Sequence, residues 1–285
     1  MFWTPSEPYV FPRDLFETAM TAIAIVDTGN GFLIAADGRV RLDDESRRTA
    51  SVDVLAQEGD EQQKIFPMEW PYETLAYAFR GTIRDQRGYD LLKITESQMS
   101  GISTRRFQDF RSYLKILGGK INREINEARR NGTLETFPQL RKMERTAAWH
   151  IASLHFCGYF DNAPSLSQID FFYYRGESQF DVNSPQLRTT QLFGSEVVMR
   201  AMYRDHPQHI QDSRFAVFVR ELSNTPSLGD AELFARGYIE ACSSPLGLEV
   251  DEPLCKGIGG HIHIATITKE EGFTWVIAPI NPLTR

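Results

Sequence analysis

The stretch ETAMTAIAIVDTGNGFLIAADGR, residues 17–39, holds two apolar runs, TAIAIV at 21–26 and FLIAA at 32–36, with DTGNG between them. Glycine and asparagine supply the positive backbone dihedrals that tight connections need, so the segment between the runs reads as a turn. Two strands joined by so short a link pair antiparallel. With the loop centred on Gly29, Val26 faces Phe32, Ala24 faces Ile34 and Thr21 faces Asp37. Facing residues in such a ladder hold their Cβ atoms roughly 4.5–5.5 Å apart. The expectation is a hydroxyl at the start of one strand beside a carboxylate at the end of the next. A slip of one residue would turn the threonine to the other face.

The surrounding chain sets the class. It has 285 residues, 41% hydrophobic and 24% charged, enough apolar material for one large core or two small ones. A net charge of −7 argues against a nucleic-acid partner, which would call for a basic surface. Cys157, Cys242 and Cys255 show no CxxC spacing, and three thiols fit a reducing compartment better than a disulfide framework. No apolar stretch approaches the length that spans a bilayer, so no membrane partner is expected. Residues 1–20 carry three prolines and no basic start followed by an apolar block; they read as an arm or pro-segment rather than a secretory signal. The expected location is the cytoplasm, and the expected organisation is that arm followed by one domain over residues 21–285.

Further motifs follow the hairpin in order: KIFPM at 64–68, YAFRGT at 77–82, then IASLHFCGYF and SQIDFFYYRGESQFDV, TTQLFGSEVVMRAMY, and GIGGHIHIATITKEEGFTWVIAP. Together with TAIAI and GFLIAADGR, this set resembles the catalytic β-type subunits of the proteasome family, N-terminal-nucleophile hydrolases that include bacterial ring-forming proteases. The resemblance spans most of residues 21–280. It implies a mature chain beginning at Thr21, with Asp37 and Arg39 closing the second strand, Lys64 opening the third, Gly81 ending the fourth and Ser195 near the threonine. It also implies a four-layer αββα sandwich, a peptide or protein substrate, no metal or other cofactor, and assembly into ring-like homo-oligomers.

The chemistry implied is self-consistent. A threonine hydroxyl inside a chain has nothing to take its proton, whereas an N-terminal threonine carries its own base, an α-amine of ordinary pKa about 7.7–8.0. Lys64 would stabilise developing negative charge and Asp37 would hold the ammonium. The Gly81 N–H would face the oxyanion of the tetrahedral intermediate. Each residue also has a plain structural reading. Lys64 follows EGDEQQ and fits a solvated strand start, Gly81 fits a turn, Ser195 fits a helix N-cap before EVVMRAMY, and Arg39 fits a pair with the acidic LDDES segment.

Three features depart from the family pattern. Met20 precedes Thr21 where the family usually has glycine, so either residues 1–20 are removed or Met20 is the true start. Cys255 and Ile258 occupy the places of an aspartate and a serine, with Asp251 or Glu252 as the carboxylate a shifted loop would supply. The acidic stretch at 42–63 is longer than the family needs and reads as a surface loop near the pocket mouth.

The remaining segments complete the architecture. Apolar residues at three- and four-residue steps predict helices over 85–99 and 104–132, the second stopped by RRNG. Helical patterns recur at 195–206 and 229–244, with a loop or short helix across 205–228. Strands, two helices, strands, helices and a closing hairpin give an α+β class and the αββα order. His261 and His263 stand two apart in a strand without a third metal ligand in view, and His206 and His209 read as surface residues. ILGGK and GIGGH match neither phosphate-loop nor dinucleotide spacing. Two other readings stand beside a peptidase: a non-catalytic scaffold or binding protein of the same fold, and an amidase acting on a non-peptide amide.

Overall fold

The computed structural model describes residues 21–39, 61–68, 74–81, 89–102, 107–134, 149–174, 176–203, 209–210 and 212–280. The proposed arm, most of the acidic 42–63 loop and His206 lie outside these residues. The elements are β1 (Ile23–Asp27), β2 (Phe32–Asp37), β3 (Ile65–Pro67), β4 (Leu75–Gly81), α1 (Leu91–Ser100) and α2 (Phe110–Arg130). There follow β5 (Trp149–Phe160), β6 (Ala163–Tyr174), β7 (Glu177–Asn183), β8 (Thr190–Phe193), α3 (Glu196–Met202) and a 3₁₀ turn at Ser213–Val217. The chain closes with α4 (Leu228–Ser243), α5 (Pro245–Val250), α6 (Glu252–Cys255), β9 (Ile262–Thr268) and β10 (Gly272–Ile277). The class is α+β, with two five-stranded antiparallel sheets ordered β10-β9-β2-β1-β8 and β3-β4-β5-β6-β7.

The first hairpin forms, but its register differs by one residue from a loop centred on Gly29. Ala24 pairs with Ala35 and Val26 with Leu33, and the ladder closes at Asp27 and Phe32. The connection is four residues long. The Thr28 N–H and hydroxyl both donate to the Gly31 carbonyl at 3.0 Å, and the Gly29 N–H donates to Asp27 Oδ1 at 2.8 Å. Gly29, at φ +82°, supplies the left-handed residue this loop requires. The strand ends shift accordingly: Ala22, not Thr21, stands across from Asp37, and the Asp37 N–H donates to the Ala22 carbonyl at 3.2 Å.

Alternation along β1 and β2 feeds two cores. Ala22, Ala24, Val26, Leu33 and Ala35 pack with Val198, Phe234, Tyr238 and Cys242 from the helices after β8. Ile23, Ile25, Phe32, Ile34 and Ala36 meet Ile65, Ala76, Ala78, Cys157 and Leu166 of the other sheet. Both faces of these strands are therefore buried, which explains their continuous apolar character; each buried isoleucine contributes roughly 1.5–3 kcal/mol. A third cluster joins Tyr77, Phe79, Leu154, Phe156, Ile169 and Phe171 to Tyr113, Leu114, Leu117, Ile121 and Ile125 of α2.

The helices begin and end on local signals. Asp109 accepts from the Ser112 N–H at 2.7 Å to cap α2, which stops at Asn131 and Gly132, the latter at φ +78°. Ser227 and Asp230 form a reciprocal capping box on α4. Gly118 of α2 lets the helix sit on Phe180 of β7, since a Cβ there would come 2.6 Å from the ring. Among the described residues, no helix is long and apolar enough to cross a membrane.

The approach of β4 to β5 depends on Gly158, at φ +133°, where a Cβ would collide with the Thr74 carbonyl oxygen. Gly158→Ala is expected to lower unfolding free energy by about 2 kcal/mol or more, measured by urea denaturation. A loss under about 0.5 kcal/mol, the scale of a neutral surface change, would contradict this packing.

Candidate active site

Asp37 ends β2 with no exposure to solvent, and four donors fill its two oxygens. The Ala22 N–H at 2.8 Å and the Lys64 ammonium at 3.1 Å take Oδ1; the Gly259 N–H at 3.0 Å and the Arg39 N–H at 3.2 Å take Oδ2. A buried carboxylate is tolerable only when paired and hydrogen-bonded in this way. The set joins the start of β1, the end of β2, the residue before β3 and the turn before β9. Of the residues expected from sequence, Asp37, Lys64 and Arg39 meet here directly. Thr21 is attached through the Ala22 peptide group.

Lys64 is buried along its length and held at three points. Besides the ion pair, its N–H donates to His263 Nε2 at 3.0 Å and its carbonyl accepts from the Phe79 N–H at 3.4 Å. Burial acts on both members of the pair, lowering Lys64 and raising Asp37. At Lys64 burial prevails over the opposing Asp37 charge and hydrogen bond, with the Arg39 charge adding to the lowering. The rise of Asp37 is opposed by the Lys64 charge and by the Gly259 and Ala22 N–H groups.

His263 is a member of this site that the sequence pattern did not reveal. A backbone N–H can only donate, so its Nε2 accepts and the neutral ring carries its proton on Nδ1. Burial, and then the Lys64 charge, push its pKa down to about 3. His263 is committed to Lys64, and His261 Nε2 lies 2.8 Å from the Ala278 carbonyl. Among the described residues, no group of three or more His, Cys, Asp or Glu side chains is placed to hold a metal ion.

The threonine itself is buried, and its hydroxyl has no hydrogen-bond partner among the described residues. An unmet hydroxyl in the interior costs about 1–3 kcal/mol, an outlay that asks for a reason. Beside it runs β8, whose Phe193 pairs with Ile23; two residues beyond that ladder lie Thr21 and Ser195. Gly194, at φ +140°, brings the chains close, since a Cβ there would sit 3.4 Å from Ala22 Cα and 2.8 Å from Tyr238 Oη.

Ser195 joins its two sequence readings. Its oxygen accepts from the Val198 N–H at 3.1 Å, capping α3, while its hydroxyl donates to Asp251 Oδ2 at 2.6 Å. Of the two carboxylates expected near this turn, Asp251 is the one that Ser195 reaches; the Cys255 N–H donates to the Asp251 carbonyl at 2.9 Å. Ile258 takes part through its backbone, accepting from Arg39 Nη1 at 3.1 Å. Arg39 also donates its N–H to the Gly259 carbonyl at 2.9 Å, and a Cβ on Gly259 would strike the guanidinium at 2.7 Å. The arginine thus fixes the turn that aims the Gly259 N–H at Asp37.

Gly81 stands one strand away, two residues past the Phe79 that holds Lys64. At φ +97°, its absent side chain admits the bulged start of β5: a Cβ would meet the Ile151 carbonyl oxygen at 2.6 Å and Ala152 Cα at 2.8 Å. The sequence reading of Gly81 as a backbone requirement and its reading as a site member are compatible at this position. As a whole, the arrangement places a fixed ammonium, a saturated carboxylate and an unpaired hydroxyl at one end of the two sheets. Those are the parts that nucleophilic acyl transfer uses.

His263 makes the fold sensitive to acid. Its folded pKa lies below the ordinary 6.5, so below that pH the unfolded chain takes up a proton that the folded chain refuses. Its stabilisation is complete above about pH 6.5 and is lost as pH falls toward about 3; at pH 5 the loss is about 2 kcal/mol. Urea titrations at pH 7 and pH 5 are expected to show His263→Asn losing about 2 kcal/mol less than the parent. An equal loss would assign the acid sensitivity elsewhere.

The grouping stands on geometry: no protein-family model matches the chain, and no curated protein matches it in sequence.

Proposed function

We propose that the chain is a threonine-type hydrolase of the proteasome-related N-terminal-nucleophile kind, cleaving peptide bonds with Thr21 once its amine is free. The observation that carries the reading is the buried Asp37–Lys64 pair, tied by the Ala22 N–H to the residue bearing an unpaired hydroxyl. In this reading the Thr21 α-amine takes the hydroxyl proton and Oγ1 attacks the scissile carbonyl. The tetrahedral oxyanion is met by the Gly81 N–H, and collapse expels the amine half of the substrate and leaves an ester on Thr21. Water then releases the acid.

Lys64 contributes a cation whose depressed pKa and fixed backbone suit it to stabilise the alkoxide. Ser195, held by Asp251, would steady the amine. The two facing sheets, with α2 against one and α4 against the other, are read as the four-layer αββα sandwich of that family. Ring-like assembly of identical subunits and a cytoplasmic setting belong to the same proposal.

Intact mass of the natively isolated protein tests the premise: a species beginning at Thr21 is expected. A uniform chain retaining residues 1–20 would favour a non-catalytic scaffold, and turnover of small acyl amides without peptide cleavage would favour an amidase. In the processed form, Thr21→Ala is expected to abolish labelling by threonine-directed electrophiles while leaving the unfolding midpoint in place; undiminished labelling would exclude this nucleophile. Lys64→Ala is expected to slow labelling by about a hundredfold or more. A change of only about threefold would remove Lys64 from the chemistry.

A further inference from the structure

The outer face of α2 carries a charge that the rest of the chain lacks. Residues 105–145 hold eleven lysines and arginines against five acids, in a chain of net charge −7. Steps of four residues align Lys115, Gly119 and Arg123 on this helix, with Ile116 and Lys120 alongside. Lys115, Ile116 and Arg123 are exposed, and Gly119 and Lys120 are half-buried. Among the described residues, none of the three cations has a carboxylate at ion-pair distance. Lys120 Nζ donates instead to Gln98 Oε1 of α1 at 3.4 Å.

The other side of the helix is pinned to β7. Asn122 Nδ2 and Asn126 Nδ2 donate to the Ser178 carbonyl at 3.1 and 3.0 Å. The Ser178 N–H donates to Asn126 Oδ1 at 2.9 Å, and its hydroxyl donates to Asn122 Oδ1 at 2.6 Å. Gly118 is explained by Phe180, but Gly119 is not. A Cβ at Gly119 would lie 3.8 Å from the Phe180 ring, an ordinary contact. Alanine would therefore fit there and would favour the helix. Beside an exposed isoleucine and between cations, the missing side chain leaves a shallow notch where a partner's backbone can come close.

The chain itself carries a segment of matching chemistry. Residues 43–61 hold seven acids against two arginines, and VDVLAQEGD at 52–60 sets Val54 and Leu55 among Asp53, Glu58 and Asp60. It offers apolar groups for Ile116 and the notch, and carboxylates for the three cations. One subunit holds donor and acceptor at opposite edges. Residue 61 leads into β3, one edge of its sheet, whereas α2 rests through Gly118 on Ile169 of β6 and Phe180 of β7, the other edge. Four strand spacings, roughly 19 Å, separate those edges. A donor on one side and an acceptor on the other is the layout of a head-to-tail contact, which closes into a ring when the rotation closes.

We propose that α2 is a subunit contact, whose Lys115–Arg123 face receives the acidic segment 52–60 of a second copy of this chain. Closure of that contact into a ring rests on the proteasome-type reading. The contact itself does not, and the test separates the two.

Sedimentation velocity of the full chain provides the test. The parent is expected to self-associate, with affinity falling about tenfold or more as sodium chloride rises from about 0.1 M to about 0.5 M. Lys120→Glu with Arg123→Glu, and separately Glu58→Lys with Asp60→Lys, are each expected to sediment as monomers. An equimolar mixture of the two is expected to regain the parent's assembly, because each reversed surface then meets its complement on the other chain. A parent that is monomeric throughout, a charge-reversed variant that assembles like the parent, or a mixture that stays monomeric would overturn the proposal. Gly119→Ala adds one methyl group and no charge, so it keeps the test open should charge reversal disturb folding. It is expected to weaken association about tenfold while unfolding at the same or a higher urea concentration than the parent; unchanged association would overturn the proposal. Binding of duplex DNA that Lys120→Glu with Arg123→Glu abolishes, without self-association of the parent, would overturn it in favour of a nucleic-acid face. Assembly by a chain whose Thr21 is never labelled would sustain this inference while the hydrolase reading failed, and a labelled monomer would do the reverse.

Discussion

One buried carboxylate organises this protein. Asp37 is reached from the backbone of β1, from its own strand end, from a lysine belonging to the opposite sheet and from the turn that opens β9. None of these contacts is dispensable in electrostatic terms, because an ionised acid without solvent must have its lone pairs met. Removing any donor would leave charge exposed to an apolar interior rather than to water. The requirement explains several otherwise unrelated choices: Gly259 must lack a side chain so that Arg39 can cross it, and Ile258 can be apolar because it meets Arg39 through its carbonyl while its side chain packs in the core.

The sequence made the local parts of this arrangement legible and hid the distant ones. Caps such as Asp109 and stops such as Asn131-Gly132 are written within a few residues of the helix they end, so composition and spacing suffice. The hairpin was equally visible as a hairpin. Its register was not, because DTGNG can close around Gly29 or as a four-residue loop, and the choice falls to Thr28, which spends both its N–H and its hydroxyl on Gly31. The one-residue difference changes which backbone group meets Asp37.

The partnerships of Ser195 with Asp251 and of Lys64 with His263 join residues 56 and 199 positions apart. No periodicity encodes such distances. Cys255 and Ile258 drew attention by their residue types, yet the contacts made nearby use the Asp251 carboxylate, one turn before Cys255, and the Ile258 main-chain oxygen.

The two bonds that hold the Lys64 backbone come from different sheets, one from His263 on β9 and the other from Phe79 on β4. The lysine is thus a rivet through both slabs, and its ammonium finds Asp37 only when the slabs are in final alignment. A chain still collapsing, with either slab slid by one residue, would lack this ion pair. On the hydrolase proposal, reactivity would thereby be deferred to the last stage of folding, sparing half-made molecules from attacking their neighbours.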